Sequence, residues 1–230
     1  PGSMNDTAQL PVIDVGPSLS GDRTARFKTA REIWDALSRY GFFYVSNHGV
    51  PEELIHRTRR HFENFYAQPL EAKRVVTGHL MRGYTGFLEV GVGAAVEEGY
   101  RVNDLCERLT FGRELSEVER AADEYYQAPF AATMVPPNLW PADAASTGFK
   151  AAVGGYFRAM ERLFEHLIVH LAIAADLTED FWVPLFSKSS SALSGINYPE
   201  PPAELFKPGV ARLVAHADLN VLTILQHENP

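Results

Sequence analysis

Sulfur chemistry is scarce in this chain: it has one cysteine, Cys106. A lone thiol excludes an internal disulfide framework and suits a reducing cytoplasm. Positive charge is also in short supply. Lysine and arginine number 21 against 29 acidic residues, a formal charge of -8. That balance argues against a general nucleic-acid or anionic-membrane binder. No apolar run reaches membrane-spanning length, and no basic start leads into an apolar signal segment. Internal repeats, low-complexity tracts and a clear interdomain linker are lacking too. What is present suffices for a core. With 230 residues, 46% of them hydrophobic, the chain fits one large domain. Pro1-Gly2-Ser3 before Met4 reads as a cloning scar, and fold reasoning starts after it.

The first elements follow from local pattern. Leu10 to Val15 is an apolar run suited to a strand. Asp22 can cap a helix over Arg23–Tyr40, whose Phe27, Ala30, Ile33, Trp34 and Leu37 recur at helical spacing, with Gly41 as its C-terminal stop. Phe42–Ser46 reads as a buried strand, Asn47-His48-Gly49 as a turn, and Pro51 as the opening of a helix lined by Leu54, Ile55, Phe62 and Phe65. Met81–Gly99 carries five glycines and reads as an irregular loop, a candidate lid over a site. Gly148–Ala175 is the longest helical pattern, and Thr178 is placed to cap a short helix after it. Beyond Phe186 the period changes: Ser191–Tyr198, Ala211–Ala217 and Val221–Gln226 read as strands. The organisation is a mainly helical part over 10–186, then an opening β region over 191–230.

Two residue pairs compete for a metal. His166 and His170 lie four apart on the long helix and so share a face. Zinc peptidases use this spacing with Glu after the first His, but Leu167 follows here. The better reading of that pair is a polar helix edge. His216 and Asp218 lie two apart on a predicted strand, so their side chains point the same way. Imidazole and carboxylate are two of the three donors of a facial triad for non-haem Fe(II). A carboxylate there, between the apolar Leu213-Val214 and Val221–Leu225, is costly to bury unless paired or metal-bound. His227 lies too close in sequence to serve as the third ligand.

Further segments join this pair: Pro11-Val12-Ile13-Asp14, Tyr40 through Val50, Arg82-Gly83-Tyr84, Pro137-Asn138-Leu139-Trp140-Pro141, Asn197-Tyr198-Pro199 and Leu222-Thr223-Ile224-Leu225. In order and spacing they resemble the isopenicillin N synthase-like family of Fe(II)- and 2-oxoglutarate-dependent oxygenases, over almost the whole chain. The resemblance implies an α+β fold: a double-stranded β-helix (jelly roll) core with an N-terminal helical region and a long supporting helix. It implies Fe(II), 2-oxoglutarate and O2, with His216 and Asp218 as iron ligands and Tyr198 near the co-substrate. It also implies a small-molecule substrate, an amino acid, peptide or natural-product intermediate, oxidised at an unactivated C–H bond by hydroxylation, desaturation or cyclisation. Secondary metabolism, antibiotic biosynthesis included, is the expected setting. Arg82 and Tyr84 are candidate substrate contacts, since relatives acting on cephalosporin precursors have a similar stretch; His48 is expected to be structural.

The chain departs from the family at one position. Many relatives have Asn two residues before the active-site Tyr, where this chain has Ile196. The family's second His and its Arg-x-Ser for the far carboxylate of 2-oxoglutarate are expected beyond Pro230, as are the closing strands of the jelly roll. The single oxygenase domain is therefore expected to be incomplete at its C-terminus. Three other readings stand beside this one: an isopenicillin N synthase-type oxidase without 2-oxoglutarate, a non-catalytic binding or scaffold relative, and a zinc hydrolase on His166 and His170.

Overall fold

The structure, a computed structural model, describes residues 9–78, 81–89, 105–144, 147–188, 190–205, 212, 218 and 220–227. In chain order its elements are β1 (Val12–Asp14), α1 (Gly16–Leu19), α2 (Arg23–Tyr40), β2 (Tyr44–Ser46), α3 (Glu52–Tyr66), α4 (Leu70–Arg74), β3 (Gly83–Thr85), β4 (Glu107–Gly112), α5 (Glu117–Ala121), α6 (Glu124–Gln127), α7 (Ala131–Met134), α8 (Phe149–Ala174), α9 (Val183–Phe186) and β5 (Ala192–Asn197), followed by a 3-10 turn at Ala203–Leu205. They form two compact units. The first comprises Pro1–Pro51 with Ala159–Lys188, the second Glu52–Arg158 with Ser189–Pro230.

In the first unit β1 and β2 pair in parallel, Ile13 opposite Val45. The Asp22 side chain accepts the Thr24 N–H and so starts α2, while Gly41 at φ 72° ends it, as its sequence predicts. Ala30, Ile33 and Ala36 form the buried stripe of that helix. The one-turn α1 was not predicted. The buried strand expected over Phe42–Ser46 is corrected. Pairing covers only Tyr44–Ser46, and Phe42 and Tyr44 are 64% and 49% exposed. Among the described residues this sheet has two strands, and Val12 is exposed as well. Asn47 (φ 53°) and Gly49 (φ 74°) make the predicted turn, and His48 Nδ1 accepts the Val50 N–H at 3.1 Å. His48 is thus engaged in holding this turn. The helix after Thr178 is also corrected: it starts at Val183, where Pro184 fits the first turn. Glu179, which a cap at Thr178 would put in the first turn, pairs with Arg26 at 2.7 Å.

The second unit is built on the antiparallel sheet β3-β4-β5, with Tyr84 opposite Leu109 and Leu109 opposite Gly195. Phe62 and Phe65 from α3, Tyr84, Leu109, Phe111, Phe149 and Val153 form its core. Phe62 meets Phe149 edge-on at 5.7 Å, and Phe111 stacks on Trp140 at 4.3 Å. Gly195 makes room for α3, since a Cβ there would fall 2.3 Å from the Phe62 ring. Three expectations change here. β4 was missed, although every one of its residues except Arg108 is buried. Part of the expected loop at 81–99 is a packed strand: Gly83, at φ +85°, lets β3 approach the Val76 carbonyl, where a Cβ would clash at 2.6 Å. The lid expectation for 90–99 lies outside the described residues. Val221–Gln226 is not a strand; its N–H and C=O groups have no ladder partner among the described residues, and Val221 and Leu225 are exposed.

Candidate active site

The expected iron donors are only partly visible. His216 lies outside the described residues. Asp218 is exposed and belongs to no strand, and the strand expected over Ala211–Ala217 lies, apart from Arg212, outside the described residues. The Thr223 hydroxyl donates to Asp218 Oδ2. Among the described residues no three His, Cys, Asp or Glu side chains gather as a metal site. The chemistry of the donors still fits. Imidazole and carboxylate suit Fe(II), and His216 and Asp218 would fill two of its protein positions.

Tyr198 follows directly on β5 and is 37% exposed, as is its neighbour-but-one Ile196 at 44%. Asn197, between them, turns the other way, as strand alternation requires. Its Nδ2 donates to Glu107 Oε1 at 2.8 Å. Glu107 Oε2 accepts from Lys73 Nζ at 2.7 Å and from the Tyr84 hydroxyl at 2.5 Å. Lys73 also lies over the Tyr66 and Tyr84 rings. Burial alone would raise the pKa of Glu107, but the hydrogen bonds from Lys73, Tyr84 and Asn197 outweigh it and hold the carboxylate below its ordinary range. Burial, and then the bond to that carboxylate, pushes the Tyr84 phenol well up. The Tyr198 carbonyl accepts from Arg212 at 3.1 Å, and the Arg212 carbonyl from the Leu105 N–H at 3.0 Å. The backbone leading to Tyr198 is therefore tied to the start of β4 on both sides. Sequence reading missed Glu107 and Lys73. The available signal was the carboxylate of Glu107 close to Leu105, Cys106, Leu109 and Phe111, which needs a partner if buried.

Arg82 and Tyr84 are both buried, at 2% and 1% exposure. Arg82 does not extend into solvent from a loop. Its Nη1 donates to the Met81 carbonyl, its Nε has no partner, and its guanidinium lies so close to Gly112 that a Cβ there would fall 1.8 Å from Nη2. No carboxylate pairs with it among the described residues. Burial, then the nearby charge of Arg120, lowers its pKa to about 10. The segment Pro137–Pro141 has a structural job. Asn138 Oδ1 accepts the Gly112 N–H at 2.8 Å and its Nδ2 donates to the Gly112 carbonyl at 2.9 Å, which staples the end of β4.

The polar helix edge expected at His166 and His170 is corrected as well. His170 is wholly buried, and its ring lies 4.4 Å from that of His166. The Ser18 hydroxyl donates to the Val15 carbonyl at 2.7 Å, so it accepts from His166 Nε2 at 3.0 Å. His170 Nδ1 donates to the His166 carbonyl at 2.7 Å, leaving Nε2 buried without a partner. Burial, then the neighbouring His170 and Arg26, lowers the pKa of His166 to about 4. Burial also lowers that of His170. The helix turns this face inward because Leu163, Leu167 and Ile168, which flank the pair, belong to the core.

The described elements form an α+β fold, and comparison with known proteins supplies the family. The family model for the N-terminal region of the non-haem dioxygenase in morphine synthesis matches residues 10–143, more than half of the chain. The chain belongs to this family, within the isopenicillin N synthase-like group of Fe(II)/2-oxoglutarate oxygenases. It is 27% identical to the 2-oxoglutarate-Fe(II) type oxidoreductase hxnY of Emericella nidulans, over 94% of this chain and 60% of that protein. It is 29% identical to azadirone synthase LFS of Melia azedarach, over 86% of this chain and 57% of that protein. The solved structure of full-length Neurospora crassa T7H in complex with alpha-KG superposes with a TM-score of 0.70 at 23% identity, covering 91% of this chain and 61% of that one. That likeness supports the jelly-roll fold. The chain thus spans less than two thirds of the length of these relatives.

Proposed function

We propose that the protein is a non-haem Fe(II)- and 2-oxoglutarate-dependent dioxygenase that oxidises a C–H bond of a small molecule, an amino acid, peptide or natural-product intermediate. The family match over residues 10–143 carries this reading. His216 and Asp218 would hold the iron, with a distal His as third ligand. Bound iron, 2-oxoglutarate and O2 supply the oxidising chemistry. The protein's part is orientation: Tyr198 beside the co-substrate and Arg82 toward the substrate. A buried guanidinium without a carboxylate partner among the described residues supports an anionic group on the substrate. Tyr84 has its hydroxyl committed to Glu107, so its contribution is to shape the strand that carries Arg82. No described helix is long and apolar enough to cross a membrane. Net charge and the single cysteine support a cytoplasmic setting with no nucleic-acid or membrane partner.

The test is succinate formation by the protein at its full natural length, supplied with Fe(II), O2, 2-oxoglutarate and a panel of small acids and neutral analogues. Succinate that requires both iron and 2-oxoglutarate is the expected result. Arg82→Ala should then raise KM for an acidic substrate by about tenfold or more and leave a neutral analogue unchanged. Ile196, standing where many relatives have Asn, favours one second reading: oxidation by oxygen without 2-oxoglutarate. Substrate turnover with no succinate would select it.

A further inference from the structure

We propose that Glu107 and Asn197 are positioning residues for the co-substrate: Glu107 holds the Asn197 amide, and the pair fixes where the Tyr198 side chain leaves β5. This rests on Tyr198 serving 2-oxoglutarate, as proposed above. The geometry has three parts. Glu107 and Asn197 face each other across the β4-β5 ladder. The amide donates to Glu107 Oε1 at 2.8 Å, while Oε2 is anchored by Lys73 from α4 and Tyr84 from β3. One residue on, the Tyr198 carbonyl is held by Arg212, itself tied to Leu105 at the head of β4. A side chain whose backbone is fixed on both sides has little angular freedom, which is what holding a reacting group in place requires. The same geometry settles the role of the amide. Asn197 gives its Nδ2 to Glu107 and faces away from Tyr198, so it does not replace the Asn that relatives carry at position 196.

The test is a double-mutant cycle in the full-length, Fe(II)-loaded protein without oxygen, with the Kd of 2-oxoglutarate read by calorimetry and Tm beside it. Asn197→Ala leaves the Lys73–Glu107 pair and the Tyr84 bond in place, so the fold survives. It should weaken 2-oxoglutarate binding roughly fivefold, and add nothing in a Tyr198→Ala background. Asn138→Ala, at the far end of β4, should lower Tm without moving Kd. Unchanged affinity in Asn197→Ala, while Tyr198→Ala weakens binding, would overturn the positioning role and leave Tyr198 standing. Additive losses would also overturn it, because Asn197 would then act independently of Tyr198. Unchanged affinity in Tyr198→Ala would remove the co-substrate reading of Tyr198 and this proposal with it.

Discussion

The two compact units bury polar groups in opposite ways. In the second unit a full charge pair, Lys73 with Glu107, is surrounded by donors and ring faces that use it. In the first unit two imidazoles are pressed together, held neutral, and one ring nitrogen is left with no partner. A buried charge persists only where its partners are in place, and removing one partner costs more than the pair contributes. A buried imidazole has another way out: it gives up its proton. The first arrangement builds rigidity around Tyr198, and the second builds sensitivity to acid.

The largest expected effect breaks the charge pair. Glu107→Ala leaves the buried Lys73 ammonium without its counter-charge, and should cost about 3–5 kcal/mol in denaturant unfolding; a loss under about 1 kcal/mol would mean that water reaches Lys73. Next comes the close packing beneath it. Gly195→Ala puts a Cβ 2.3 Å from the Phe62 ring and should cost about 1–3 kcal/mol. Acid separates the two units directly. His166 and His170 titrate near 6.5 in the unfolded chain and lower when folded, to about 4 for His166. The unfolded chain therefore binds protons that the folded one refuses, and stability of the first unit falls as pH drops from about 6.5 toward 4. Glu107 behaves oppositely in range: its folded pKa lies below 4.5, so its contribution is lost only as pH falls through that lower value. Hydrogen exchange between pH 7 and 5, corrected for intrinsic rates, should show α2 and the C-terminal half of α8 opening before β4 and β5. His170→Leu should flatten that response. The smallest effect is local: Asp22→Ala should cost about 1 kcal/mol through the lost cap of α2.

Local chemistry made much of the fold legible. Asp22 and Gly41 bracket α2, Asn47-His48-Gly49 turns, and the apolar spacing from Phe149 to Leu171 predicts α8. What escaped was set by distant partners. β4 carries Glu107, whose burial is explained only by Lys73 and Tyr84 from other elements, and Gly83 reads as loop punctuation until the Val76 carbonyl is seen against it. His170 on a helix reads as an edge, because nothing near it in sequence says that Ser18 and Arg26 come from other elements. For the proposed site, the motif residues come from resemblance alone. The Glu107 network that holds Tyr198 was not, since its members lie between 66 and 198 in sequence and meet only across the sheet.

The proposed function requires His216 and Asp218 to hold iron for 2-oxoglutarate chemistry. Anaerobic titration of the full-length protein with Fe(II) and 2-oxoglutarate tests it through the charge-transfer absorbance of the iron–2-oxoglutarate complex. The band should form in the native protein and be lost in both His216→Ala and Asp218→Ala. A native protein with no band, or a band that survives both substitutions, would contradict the account.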